Sequence, residues 1–122
     1  MPRPTYTLYV PEASFRAFAI LIAAEYNGVT INVNTDISNA SKSPVRKLPI
    51  LELNDGQTCI FSSQASTRFV ASIRHDIGLM GQSASDAAVI DAWMDWCTAD
   101  IELPACVWFY PVAGYMPFNA AA

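Results

Sequence analysis

The chain has 122 residues, 52% of them hydrophobic and 15% charged, and a formal net charge of −4. That is enough apolar material for one small domain with a core, and it excludes an intrinsically disordered chain. The acidic balance argues against a surface built to coat nucleic-acid phosphates, and no run of about 18 apolar residues offers a membrane span.

Met1-Pro2-Arg3-Pro4-Thr5 lacks the apolar stretch of a signal peptide. Thr5–Val10, rich in β-branched and aromatic residues, reads as a strand. Pro11-Glu12-Ala13-Ser14 breaks it and opens a helix in which Phe15, Phe18, Ala19, Ile22 and Tyr26 recur at helical spacing. Asn27-Gly28 ends that helix with residues that tolerate the left-handed region. Val29–Asn34 alternates apolar and polar residues, as a half-buried strand does. Thr35–Pro44 is polar and aperiodic, a loop with at most a short helix. Leu48–Leu53 forms a third strand, Asn54-Asp55-Gly56-Gln57 a hairpin turn and Thr58–Phe61 the returning strand. Ser62 or Ser63 caps a helix running to about Asp76, with Ala65, Phe69, Val70 and Ile73 facing inward. This β-α-β-loop-β-β-α order ends near residue 80. Ser83-Ala84-Ser85-Asp86 resembles a capping box with Asp in place of Glu. A long helix follows, with Val89, Trp93, Trp96, Cys97 and Asp100 on or near one face. Pro104 is expected to kink or end it, Val107–Pro111 continues apolar, and Gly114–Pro117 breaks the chain again.

Pro49 stands inside an otherwise regular strand pattern, where a lost N–H marks a strand start, an edge or a special bend. A cis Leu48–Pro49 bond reconciles the proline with the strand. The hairpin then runs into a serine-rich helix start, whose orphan amides suit an anion. A strand-opening proline, a hairpin and an anion-ready helix together suggest a thioredoxin-like scaffold that holds a thiol peptide. The three cysteines, Cys59, Cys97 and Cys106, form no CxxC pair; they read as reduced, mostly buried thiols of a cytosolic protein. His75 is the single histidine, so no multi-histidine metal site exists, and no metal is expected. Lys42, Arg46 and Lys47 form a small basic patch beside the proline. Asp91, Asp95 and Asp100 read as a solvated helix face, with Arg68 and Arg74 as available partners. Tyr110, Tyr115 and Phe118 read as core or interface.

Leu8-Tyr9, Arg16-Ala17-Phe18, Leu21-Ile22-Ala23-Ala24 and Tyr26 resemble the first strand and helix of glutathione-transferase-like proteins. Within that superfamily the chain resembles the gamma-subunit family of eukaryotic translation elongation factor 1. That resemblance rests on Lys47-Leu48-Pro49-Ile50, Phe61-Ser62-Ser63-Gln64-Ala65 and the stretch Trp93 to Pro111. Its most specific part is Ala99-Asp100-Ile101-Glu102-Leu103-Pro104-Ala105 followed by Trp108-Phe109-Tyr110-Pro111. The resemblance implies an α/β fold: a thioredoxin-like transferase N-terminal domain over residues 1–80, then the start of an all-helical domain over 83–122. A complete helical domain of that kind needs about as many residues again, so the helical part is expected to be truncated. Trp93, Trp96, Trp108, Phe109 and Tyr110 would then lack cover, which predicts self-association, such as a homodimer.

A glutathione site on such a scaffold makes three demands, and the resemblance assigns residues to each. Leu48 and Pro49 would offer backbone to the cysteinyl part. Ser63, with Ser62 beside it, would hold the γ-glutamyl carboxylate at a helix N-terminus. Transferases usually place Glu or Gln where Ser62 aligns, and both serines read equally as simple helix caps. The third demand is a hydroxyl that stabilises the thiolate; counting one turn back from Arg16 gives Glu12, whose charge would repel it. Ser14 is the nearest substitute, with Tyr6 and Tyr9 further off, and each also reads as a cap or as strand core. The resemblance therefore implies a non-catalytic, cytoplasmic scaffold that binds the nucleotide-exchange subunit of the elongation factor 1 complex, with no cofactor beyond a glutathione-like thiol ligand. The alternatives are a glutathione or related thiol transferase and a transferase-like assembly domain of an aminoacyl-tRNA synthetase.

Overall fold

A computed structural model describes residues 5–117, and contacts divide the chain into two units at Met80 and Gly81. In the first, β1 (Thr5–Tyr9) leads through a 3-10 turn (Phe15–Ala17) into α1 (Phe18–Asn27) and β2 (Thr30–Asn34). A second 3-10 segment (Ile37–Lys42) precedes β3 (Ile50–Glu52), β4 (Cys59–Phe61) and α2 (Ser63–Ser72). The sheet order is β2-β1-β3-β4. β1 and β2 are parallel with Leu8 opposite Val33. The other two pairings are antiparallel, with Tyr9 opposite Ile50 and Ile50 opposite Phe61. This is the mixed four-stranded thioredoxin-like sheet that the element order implies.

The core lies between one face of the sheet and the two helices: Tyr6, Leu8, Val10, Ile20, Leu51 and Val70 are buried together. Tyr6 meets Phe69 edge to face at 5.7 Å. The buried face of α1 differs from the expected one. Ile20, Ala23, Ala24 and Asn27 point inward, whereas Phe18, Ile22 and Tyr26 are 62%, 57% and 65% exposed. Both stripes are apolar at helical spacing, so hydrophobicity does not choose between them. The alanine stripe wins because small side chains let α1 approach its neighbours closely. Gly28 ends α1 in the left-handed region, with Val29 N donating to Ala24 O and Gly28 N to Glu25 O, a Schellman closure. α2 stops at Ser72 rather than Asp76. Arg74, offered to the later aspartates by the sequence, bonds Asp76 within its own turn. In α2, Ser66, Val70 and Ala71 are buried, while Phe69 and Ile73 pack partly buried against the core and Ala65 is half-buried. β2 is less covered than its alternation suggested, because it lies at the sheet edge and Val33 is 50% exposed.

The second unit is α3 (Ala84–Trp96), a π-helical segment (Cys97–Glu102) and α4 (Leu103–Ala113). Ser83 caps α3 by accepting from Asp86 N at 3.2 Å, and Asp86 Oδ2 accepts from Gln82 N at 3.1 Å. The reciprocal cap read from the sequence thus forms, shifted by one residue on the carboxylate side. Pro104 does not end the helix. The π turn before it, where Leu103 N donates to Thr98 O, absorbs the wider backbone that a proline without an N–H requires. None of the described residues of this unit is fully buried. The thiols follow suit, against the expectation of burial: Cys97 is exposed, and Cys59 and Cys106 are half-buried. Tyr110 and Tyr115 pack edge to face at 5.5 Å, and Phe118 lies outside the described residues. Among the described residues no helix is long and apolar enough to cross a membrane.

Candidate functional site

Among the described residues, three other than glycine have positive φ: Ala13 at 59°, Arg46 at 53° and Ser62 at 84°. Such backbone is rare for side-chain-bearing residues, costs about 1–3 kcal/mol each, and gathers at functional sites. The register places all three at one end of the sheet. Tyr9, Ile50 and Phe61 are paired neighbours. Ala13 follows β1 by four residues, Arg46 and Leu48-Pro49 lead into β3, and Ser62 follows β4 directly. The Leu48–Pro49 bond is cis, Pro49 is buried and Leu48 half-buried. Extending the β3–β4 register by one position sets Pro49 opposite Ser62. Leu48, Pro49, Ser62 and Ser63 therefore share one sheet end.

At the α2 start, Ser62 Oγ accepts from Ala65 N at 3.4 Å, and Ser62 O accepts from Ser66 N at 3.1 Å and Ser66 Oγ at 2.9 Å. Ser62 is thus the N-cap. The Ser63 side chain stands in the first turn, half-buried, while its carbonyl accepts from Thr67 Oγ1 at 2.7 Å. First-turn amides of a helix have no intrahelical carbonyl and sit at the positive end of its dipole. The geometry suits a carboxylate.

The third demand is met poorly. Ser14 is at the right sheet end, but its Oγ accepts from Arg16 N at 3.4 Å as the cap of the 3-10 turn. Glu12 is exposed. Tyr6 is core, and Tyr9 is buried with its hydroxyl donating to Glu52 Oε1 at 3.4 Å. Burial, and then the Glu52 charge, push the Tyr9 phenol above its ordinary pKa, which keeps it protonated.

The basic patch is also divided. Lys42 Nζ pairs with Glu52 Oε2 at 3.1 Å and lies 5.3 Å from the Tyr9 ring centre, while Arg46 and Lys47 are exposed. Glu52 gathers a third donor, Cys59 Sγ at 3.9 Å; burial first and Glu52 second raise that thiol's pKa, so it is held as a thiol. Sequence reading missed Glu52 as an organiser. Its only signal was a carboxylate on the face of β3 shared with Ile50; Lys42 arrives there by tertiary folding alone.

The sheet order, the cis-proline and the serine cap together define a glutathione-transferase-like fold. A theta-class glutathione S-transferase from Xanthomonas axonopodis pv. citri, solved with glutathione bound, superimposes with a TM-score of 0.74. At 21% identity, the match covers 97% of this chain and 58% of that one. The sequence is homologous to the elongation factor 1-gamma proteins. It is 36% identical over 111 residues to a probable elongation factor 1-gamma 1 of Arabidopsis thaliana, covering 84% of this chain and 26% of the relative. It is also 36% identical over 124 residues to elongation factor 1-gamma of Artemia salina, covering 94% of this chain and 28% of the relative. The chain thus spans about a quarter of the length of these relatives. No family model matches it.

Proposed function

We propose that this chain is a non-catalytic, glutathione-transferase-like assembly module of translation elongation factor 1, acting in the cytoplasm and binding that complex's nucleotide-exchange subunit. The observation that carries the reading is homology to elongation factor 1-gamma of plants and an animal over most of the chain. The site chemistry supports it: Ser14, the hydroxyl the sequence offers for a thiolate, is occupied as the cap of the 3-10 turn, and the residue one turn before Arg16 is the carboxylate Glu12. The 1–80 unit is the thioredoxin-like half in this reading, and 81–122 opens the helical half.

The test is retention of the purified exchange subunit on the immobilised chain, with complex formation followed by size-exclusion chromatography. Stoichiometric co-elution is expected, and separate elution at tens of micromolar would refute the reading. In parallel, conjugation of glutathione to a chromogenic electrophile is expected to stay at the buffer rate. Turnover that Ser14→Ala abolishes would overturn the non-catalytic part.

A second reading, retained thiol-peptide binding without chemistry, is favoured by the positive-φ Ser62 that opens α2, whose first-turn amides suit a carboxylate. Retention on immobilised glutathione that Ser63→Ala weakens is its expected signature.

A further inference from the structure

β2 ends the sheet order, so among the described residues its outer edge pairs with no strand. It carries none of the devices that usually protect an edge. The run from Val29 to Thr35 contains no charge and no proline, and five regular residues leave no bulge. The opposite edge strand, β4, has only three residues. Val10 N donates to Asn34 O at 3.1 Å, so the Asn34 carbonyl faces β1. Peptide groups alternate along a strand, and the N–H and C=O groups of Ile31 and Val33 therefore point outward.

The sequence of β2, Thr-Ile-Asn-Val-Asn, is close to its own reverse in chemistry. We propose that β2 is a self-pairing edge, by which two copies of the chain join antiparallel about Asn32 into one continuous eight-stranded sheet. In that register Ile31 of each copy stands opposite Val33 of the other. Those are the outward-bonding residues, so the pairing closes four backbone hydrogen bonds. On the helix-bearing face it covers Val33, which is 50% exposed, with a β-branched partner. On the other face Thr30 meets Asn34 and Asn32 meets its own copy, so no like charges oppose each other. A second copy is the fitting occupant because the near-palindromic strand sets β-branched against β-branched and polar against polar residues about its own midpoint. The contact is small, and the dimer is a weak one.

The experiment traps the register in the full chain. Asn32→Cys brings two thiols to a non-hydrogen-bonded pair, where Cα atoms lie about 4.5 Å apart, within disulfide reach. Thr30→Cys would leave its two copies about 13 Å apart along the strands, beyond reach. Under mild oxidation, Asn32→Cys is expected to form covalent dimer well above both Thr30→Cys and the wild-type chain, whose own three cysteines set the background. Sedimentation equilibrium adds an independent arm: Val33→Lys, at an exposed side chain, is expected to weaken self-association at least tenfold with an unchanged circular dichroism spectrum. Equal cross-linking of the two cysteine variants would overturn the proposal. A wild-type monomer at every concentration would overturn it, as would a dimer indifferent to Val33→Lys.

Discussion

Asn27 is the polar residue on which the packing of α1 against α2 depends most. It is 2% exposed, and its Nδ2 donates to Val70 O at 2.7 Å and Ala71 O at 3.2 Å, tying the end of α1 to the last turn of α2. Its Oδ1 is buried with no donor among the described residues. The orientation is fixed by chemistry, since a flipped amide would set its oxygen against two carbonyls. Asn27→Ala removes two bonds worth about 1 kcal/mol each and leaves carbonyls poorly satisfied. Deleting the orphan oxygen returns about 1 kcal/mol, and a small cavity adds a similar loss. The expected net destabilisation is about 2 kcal/mol. Asn27→Asp keeps the shape but turns the donor into a second acceptor, aimed at the same carbonyls. About 4 kcal/mol is expected at neutral pH, since an unpaired buried charge adds to the lost bonds. Burial holds the new carboxyl above its unfolded pKa, so the folded form binds the proton more tightly. The Asp variant's deficit therefore shrinks as pH falls toward 4 and grows as pH rises. All three tryptophans, Trp93, Trp96 and Trp108, lie beyond residue 81, so indole fluorescence reports the second unit. Amide hydrogen exchange of the α1 and α2 peptides, with urea melts followed by circular dichroism, is the appropriate assay. Asn27→Asp no less stable than Asn27→Ala at pH 7, or insensitive to pH, would refute the reasoning.

Two further outcomes follow from particular contacts. Gly81 has φ +81°, and a Cβ there would lie 2.3 Å from Asp86 Cβ. Gly81→Ala should therefore disrupt the α3 cap and cost about 2–3 kcal/mol, whereas Gly56→Ala, with φ +70° and open space around it, should cost only the backbone strain of about 1–2 kcal/mol. Equal melting shifts for the two would show that the Asp86 clash is relieved at no cost. The second concerns pH. Tyr9 and Cys59 are raised chiefly by burial, and Lys42 chiefly by its bond to Glu52. Each binds its proton more tightly folded than unfolded, so the stability is complete at neutral pH and is lost as pH rises into the alkaline range where the unfolded thiol, phenol and ammonium deprotonate first. Urea midpoints should fall across that window, less steeply in Glu52→Gln; identical slopes in the two proteins would count against the cluster.

Much of this protein was legible before folding, because its local signals are covalent and short-ranged. The proline inside a strand pattern, the Asn-Asp-Gly-Gln turn, the serine caps at 62 or 63 and at 83 and the Asn-Gly helix end each specify backbone within a few residues. Together they yield the element order, the cis bond and a thioredoxin-like scaffold, while resemblance of sequence reaches the glutathione-transferase-like class and elongation factor 1-gamma. What the tertiary structure decided is which of several equivalent local choices is used. On α1 two apolar stripes compete, and only close packing selects the alanines over Phe18, Ile22 and Tyr26. Lys42 reads in the sequence as one of a basic patch with Arg46 and Lys47, and folding delivers it to Glu52, ten residues on, together with Tyr9 and Cys59. Ala13, Arg46 and Ser62 carry no mark in the sequence of their shared strain. That strain, and the sheet end where it collects, arises from non-local strand pairing, which spacing along a single chain does not encode.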